Sequence, residues 1–551
     1  MTDSQSSPAP AFSMPQASEP AAPSGSQTTG ADSISRLQGA LGREHVLTTP
    51  EACAFYSHDV FRAGAGALAV AQPGSVEELQ AVLRIAWEAG LPVIPRGGGM
   101  SYTDAYLPEQ SHSLMIDMRR LNRVLEINVD SRYVVVEAGI TWSELNDALE
   151  EYGLRTPYWG PLSGLRATVG GTLSQGSMFL GSGQYGSAAD SALALEVACA
   201  DGSLIRTGSW AGEHAQPFFK HHGPDMSGLF TGDCGALGFK VRASLRLIKR
   251  PAETRFLSFC FNSHADLIQA MANVAREEVA SESFAFDPFL QGLRMQRASL
   301  REDVSALGNV MKAAGGGLRG MKVGAKLALS GRRVLDQDAF SLHIAADGRD
   351  TADADSRAAA VRSAVGSLGR EVEGSVPRMM RGTPFGEINS IMGPEGQRWL
   401  PVHGILPLSD AQHAYEALEE LFESRRPITE AHGIEHGYLM STISNHAFLL
   451  EPCLYWPDSR TLFHTGVLST QYLDRLPEHP DSPEARREVE SLRQAIADRL
   501  HELGATCFQV GKVYPYSRNR DAGQWQLLKS LKAAVDGKSQ VNPGALGLRA
   551  E

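Results

Sequence analysis

Three consecutive glycines, Gly97-Gly98-Gly99, stand directly behind a short apolar stretch, Leu91-Pro-Val-Ile-Pro95. Such a run is entropically costly, so a folded chain keeps it where backbone must approach something closely. Behind a strand, the loop Pro95-Arg96-Gly97-Gly98-Gly99-Met100-Ser101 offers convergent N–H donors with no side chain in the way, as a phosphate requires. Ser101 adds a hydroxyl, and Tyr102 follows at once. A triple glycine alone fits a flexible surface loop equally well. Two later segments change that balance. The first, from Gly160 through Pro161, Leu162 and Gly164 and on through Ala167, Thr168, Gly170, Gly171, Ser174, Gln175 and Gly176, strings small residues and hydroxyls along an extended path. Backbone of this kind reaches a flat ring, and Thr168 and Ser174 are expected to bond its polar edge. The second, Thr231–Gly238, carries Asp233, Gly235 and Leu237 just before an alternating strand.

The surrounding pattern supplies the elements. A chain of 551 residues is too long for one core, which predicts two or three domains. Folding signals begin near Ile34, leaving residues 1–33 as a disordered tail rich in Ser, Pro, Ala, Gln and Thr. Ser75 with Glu78, and Thr141 with Glu144, mark two helix starts, with Gly90 and Gly153 as stops. Tyr133–Val136 reads as a strand, Leu193–Ala200 and Ser203–Thr207 as a hairpin about Asp201-Gly202, and 239–247 as a half-buried strand. Residues 160–187 read as a long connector without structure of its own, a kind that is usually functional. Pro251 marks a boundary. Residues 34–250 form one domain and 251–500 a second, with two apolar runs (Leu342–Ala346, Phe448–Tyr455) and a helix over Ala411–Phe422. Residues 501–551 return to the first domain, with a helix over Trp525–Val535 and Asn542-Pro543-Gly544 beyond it.

In their order, the three glycine segments resemble the FAD-binding domain of the superfamily that includes vanillyl-alcohol oxidase, p-cresol methylhydroxylase, the D-lactate and glycolate dehydrogenases and alkyl-dihydroxyacetonephosphate synthase. The resemblance rests on P-x-G-G-G-x-S at Pro95–Ser101, A-T-[VI]-G-G at Ala167–Gly171 and G-[SD]-x-G-x-[LF]-G at Gly232–Gly238. It covers about residues 34–250, with a weaker echo at the C-terminus that includes Asn542. It implies an α+β fold, a two-subdomain FAD-binding domain of the p-cresol methylhydroxylase type with an α+β substrate cap, and an FAD-linked oxidase or dehydrogenase. Where some relatives attach flavin through a His after the loop glycines, this chain has Met100. FAD is therefore expected to be non-covalent, or linked only through the cap.

Composition excludes other classes. The formal charge of −12 includes no basic domain, so nucleic acid is not expected as a partner. No apolar stretch spans a bilayer. The six cysteines are scattered with no C-x-x-C pair, which points to reduced thiols and a cytoplasmic location. Gly181–Gly186 spells G-x-G-x-x-G without the flanking strand and helix that nicotinamide binding needs. His432-x-x-Glu435-His436 spells an inverted zincin motif, and a zinc hydrolase is the alternative enzyme class. Gly433 and Gly437 argue against the single helix it needs. Lys312, Arg319, Lys322, Lys326, Arg332 and Arg333 read as a solvated charged face. A non-catalytic FAD-fold protein is a further alternative.

For the chemistry two patterns compete, each implied by the resemblance. Hydroxy-acid relatives use two His in H-x-G-D-G-N-x-H and a Glu in E-H-G. Here His436 and His446 lie near the first motif without G-D-G-N, and Phe508-Gln509-Val510 replaces the second, so no metal site carries over. The vanillyl-alcohol oxidase group places a Tyr-Arg pair where this chain has Tyr514, Tyr516 and Arg518. These three residues, with His446 as base, flavin anchor or packed core histidine, are the catalytic candidates. The substrate is then a small alcohol, a 2-hydroxy acid such as D-lactate, or a para-substituted phenol. Oxygen or an electron-carrier protein is the expected acceptor, and a homodimer is a further possibility.

Overall fold

The glycine loop hangs from the edge of a small sheet. The computed structural model describes residues 30–299 and 339–549. The tail before Gly30 and the Lys312–Arg333 cluster lie outside the described residues. Helix Gly30–Leu41 begins inside the stretch expected to be tail, because Ser33, Leu37 and Leu41 are buried by it. Strands β1 (Val46–Leu47), β2 (Ala69–Ala71), β3 (Val93–Arg96) and β4 (Leu114–Asp117) are ordered β1-β2-β4-β3. β2 and β3 both run parallel to β4. Parallel strands need a crossover, and helix Val76–Ala89 provides it. Ser75 caps this helix through the Glu78 N–H at 3.1 Å, and the Glu78 carboxylate reaches the Gly74 N–H at 2.7 Å. Gly90 closes it with φ +67°.

The next sheet uses β5 (Val124–Asn128), β6 (Tyr133–Glu137), β8 (Ala192–Ala198), β9 (Leu204–Arg206) and β10 (Phe239–Arg246). It is antiparallel in the order β5-β6-β10-β8-β9, while β7 (Leu154–Arg155) pairs with β11 (Ile248–Lys249). The Thr141–Glu144 box is complete. β10 departs from the half-buried reading. It lies between β6 and β8, and Lys240 and Ser244 on its second face are buried along with Val241 and Ala243, while Arg242 is half-buried and Arg246 exposed. The 160–187 stretch is not structureless either, since it holds short helices at Val169–Gln175 and Ser182–Tyr185.

An eight-stranded antiparallel sheet follows, made of β12 (Glu253–Phe261), β13 (Glu282–Phe286), β14 (Phe340–Gly348), β15 (Arg370–Val372), β16 (Arg398–Pro401), β17 (Gly404–Pro407), β18 (Glu435–Ile443) and β19 (Ala447–Trp456). Both apolar runs read from the sequence are strands of its interior, β14 and β19. The two faces of β19 differ. Phe448, Leu450, Leu454 and Trp456 pack into a core shared with helices Ala411–Ala431 and Pro483–Glu502. Leu449, Glu451, Cys453 and Tyr455 point the other way, into a crevice. This is the period-two alternation of any strand. Finally, residues 540–542 lie along β3. Val93 N–H donates to Gln540 O at 2.8 Å and Asn542 N–H to Val93 O at 2.9 Å. No helix among the described residues is long and apolar enough to cross a membrane.

Candidate active site

The three glycine segments converge on one crevice with an empty volume of about 1900 Å³, open to solvent. Every residue from Pro95 to Tyr102 lines it, as do Pro161, Leu162, Ala167, Thr168, Gly170, Gly171, Ser174, Gln175 and Gly235. The loops interlock closely. A Cβ on Gly98 would stand 1.9 Å from the Arg166 carbonyl oxygen, and one on Gly97 would stand 2.2 Å from Thr168 Oγ1. The glycines therefore allow loop to pack on loop, where sequence reasoning gave them only to the ligand.

The buried charge is the most telling part. The Arg96 side chain is fully buried, and none of its three guanidinium nitrogens has a hydrogen-bond partner among the described residues. Its guanidinium lies over the rings of Tyr56, Tyr106 and Phe55, at 4.6, 5.2 and 5.3 Å from their centroids. Aromatic faces stabilise a cation in part, but an unpaired buried charge still calls for an anion. Arg166 stands close by. Burial, followed by the charges of Arg119 and Arg96, pushes its pKa down, and its Nε is also without a partner. Two unneutralised guanidinium groups behind a glycine loop fit the diphosphate of a dinucleotide. Gln175, whose buried Oε1 has no partner, lines the same crevice. The chemistry of this lining fits FAD: Arg96 and the 97–101 loop would hold a diphosphate, and residues 167–175 would offer backbone to the ring.

Other expected cofactor residues serve as scaffold. Thr168 Oγ1 accepts the Gly171 N–H at 3.2 Å, and the Ser174 hydroxyl donates to Gly170 O at 2.8 Å. Both hydroxyls brace their own helix and still line the crevice, Thr168 with its O–H and Ser174 with its oxygen lone pairs uncommitted in these bonds. Gly164 is packed under Phe385, and Gly176 ends the helix in the left-handed region. Asp233 pairs with Lys240 at 2.5 Å and accepts the Gly235 and Leu237 N–H groups. Leu237 belongs to the core. Asn542 donates to Ala105 O at 2.8 Å and Cys234 O at 2.7 Å, clamping two loops from behind. Cys234 lines the crevice, accepts the Gly511 N–H through Sγ at 3.1 Å, and has its thiol pKa pushed up to about 12, chiefly by burial.

The catalytic candidates are not brought together. Arg518 sits on the surface, paired with Asp498 at 2.8 Å. Tyr516 packs beside the cap core with Arg520 3.9 Å over its ring. His446 is exposed in the β18–β19 turn and bonds Ser444 O at 2.9 Å. Tyr514 is buried one layer behind the crevice. Its hydroxyl accepts the His403 N–H at 2.8 Å, and its ring stacks on His403, which stacks in turn on Phe508 at the crevice wall. The zinc motif is split. His432 ends a helix, whereas Glu435 and His436 lie on β18, so no helical turn presents both histidines. Among the described residues, no group of three or more His, Cys, Asp or Glu is placed to hold a metal.

Tyr102, Trp399, Tyr455, Phe508 and Leu439 line the crevice instead, together with Glu451, the one carboxylate among its described lining residues. Trp399 meets Tyr102 edge-on, with ring centroids 5.4 Å apart. Burial pushes the Glu451 carboxyl up to about 7. Sequence reasoning missed Glu451 because it sits inside an apolar run with no motif. The available signal was its place on the same face as Leu449, Cys453 and Tyr455.

Comparison with known proteins agrees with this geometry. Residues 67–208 match the model of an FAD binding domain. The mitochondrial D-lactate dehydrogenase [cytochrome] of Arabidopsis thaliana is 31% identical over 235 residues, 42% of this chain and 37% of that protein. The glycolate oxidase subunit GlcD of Bacillus subtilis is 27% identical over 218 residues, 40% of this chain and 45% of that one. The chain thus spans less than half the length of these curated relatives. The fold extends much further than the sequence match. The 4-ethylphenol oxidase from Gulosibacter chungangensis superposes with a TM-score of 0.68 at 17% identity, covering 95% of this chain and 97% of the other.

Proposed function

We propose that this chain, which belongs to the superfamily of FAD-linked oxidases and dehydrogenases that includes p-cresol methylhydroxylase, is an FAD-dependent oxidoreductase acting on a small hydroxylated aromatic molecule. The observation that carries the reading is the unpaired, buried Arg96 guanidinium beneath a glycine loop that opens into a crevice with an aromatic far wall. FAD, when bound, supplies the two-electron acceptor. The protein's part is to hold and orient. Arg96 faces the diphosphate side, while Tyr102, Trp399, Tyr455 and Phe508 shape a flat apolar slot for the substrate. The aromatic walls favour a para-substituted phenol or aromatic alcohol over a 2-hydroxy acid. Oxygen or an electron-carrier protein then takes the electrons onward.

The test is anaerobic. Protein reconstituted with FAD is mixed with a panel of phenolic alcohols, para-alkylphenols and 2-hydroxy acids, and flavin absorbance is followed. Bleaching by the aromatic compounds is expected. A protein that binds no FAD, or a flavin that nothing in the panel bleaches, overturns the reading. Bleaching by hydroxy acids alone overturns the substrate class.

A further inference from the structure

We propose that Glu451 is the proton acceptor of the reaction, taking the hydroxyl proton of the substrate as hydride leaves. This rests on the oxidoreductase reading above and deepens it. The argument begins with position. β19 alternates, so Glu451 shares the crevice face with Leu449, Cys453 and Tyr455 and lines the same crevice as the glycine segments. Dehydrogenating an alcohol releases one hydride and one proton, and the proton needs a base within reach. The other ionisable groups that line the crevice are poor bases. Arg96, Lys240 and Arg294 are cations. Burial raises the pKa of Tyr102, Tyr106, Cys234 and Cys453, so they keep their protons, and Tyr455 is a further phenol. No histidine is among the described lining residues.

The surroundings leave the carboxylate available. Its one described hydrogen bond is from the Cys453 thiol, at 3.8 Å. From the loop after β3 it faces Tyr102, and from the C-terminal segment Tyr514, both neutral phenols whose pKa its charge helps to raise. His403, behind Tyr514, is held neutral by burial, its pKa lowered to about 3. The cation Arg294 stands on helix Pro288–Ser299, its guanidinium 4.0 Å from the centroid of the Phe286 ring. A carboxyl poised near neutrality is ionised often enough to accept a proton and basic enough to keep it.

The balance for an aromatic alcohol is simple. The substrate C–H bond breaks and hydrogen leaves with both electrons to FAD, so the substrate is oxidised and FAD reduced by two electrons. The O–H bond breaks, its proton passes to a Glu451 carboxylate oxygen, and the C–O bond becomes C=O.

The experiment compares FAD-loaded wild type, Glu451→Gln and Glu451→Asp. In wild type the rate of anaerobic flavin reduction should rise with pH through about 7 and then level off. Glu451→Gln should reduce the rate by about a hundredfold or more and remove that rise. Glu451→Asp should keep the pH dependence at a lower rate. A protonated-carboxyl infrared band that titrates near neutrality should be present in wild type and absent in Glu451→Gln, independently of turnover. If Glu451→Gln reduces flavin as fast as wild type with the same pH profile, or if the band survives in it, the proposal fails while the oxidoreductase reading stands. A wild type that no substrate reduces overturns both.

Discussion

Arg96 shows how a single residue separates stability from binding. A buried cation with no hydrogen-bond partner weakens the empty protein, and the three aromatic rings around it offset part of that cost. A bound diphosphate would turn the same charge into affinity. Arg96→Met keeps the length and removes the charge. Urea denaturation of the FAD-free protein should therefore show stability held or raised, since replacing buried charge with apolar side chain is neutral to stabilising by about 1–4 kcal/mol. FAD titration should show affinity about ten- to a hundredfold weaker, the worth of one charge-assisted hydrogen bond. If stability and affinity fell together, Arg96 would be a structural residue and not an anion site.

At the scale of elements, the cap is joined to the first domain by a buried charge network. Arg155 of β7 reaches Asp347 of β14 at 3.2 Å, and Arg381 reaches Asp347 at 2.9 Å and Glu282 of β13 at 2.5 Å. Arg381 lies on helix Ser375–Gly382. The following segment wedges Phe385 against Gly160 and Gly164, where a Cβ would meet the ring at 2.7 and 2.2 Å. A few residues further on, Ile388 and Ile391 line the crevice. Arg381→Met leaves Glu282 and Asp347 short of a cation and should cost about 3–5 kcal/mol in urea denaturation. The acid side carries a defined sign. The neighbouring Arg381 and Arg155 hold the Asp347 carboxyl down to about 2, from an ordinary 3.8. Its contribution is complete above pH ~3.9 and is lost as pH falls through about 2. Asp347→Asn should lose that acid-sensitive stability, and a urea midpoint with unchanged acid dependence would rule the assignment out.

Over the whole molecule, the far end of the chain completes the site from behind. Lys532 pairs with Asp536 at 2.7 Å and donates to Ala236 O and Val541 O, each at 2.7 Å, tying the third glycine segment to the strand-like return along β3. Asn542 clamps the backbone of Ala105 and Cys234 in the same way. Asn542→Ala removes both bonds and leaves two buried carbonyls short of a donor, a cost of about 1–3 kcal/mol. It should also weaken FAD binding although Asn542 does not line the crevice. A variant that loses stability but binds FAD as tightly as wild type would separate the clamp from the site.

What the sequence determined was local. Glycine spacing marked the cradle because the loops pack so closely that a Cβ on Gly97 or Gly98 would stand 2.2 or 1.9 Å from atoms of the neighbouring loop. The Thr141–Glu144 box and the Asp201-Gly202 hairpin were legible for the same reason, since each is satisfied by neighbours along the chain. The tertiary structure alone decided which polar side chains face the crevice. Tyr514, Arg518 and His446 matched a pattern, yet packing turned them toward His403, Asp498 and a surface turn. Glu451, hidden in an apolar strand, was turned inward. Side-chain direction there depends on how the eight-stranded sheet is laid over the glycine loops, and no short-range rule in the sequence encodes that.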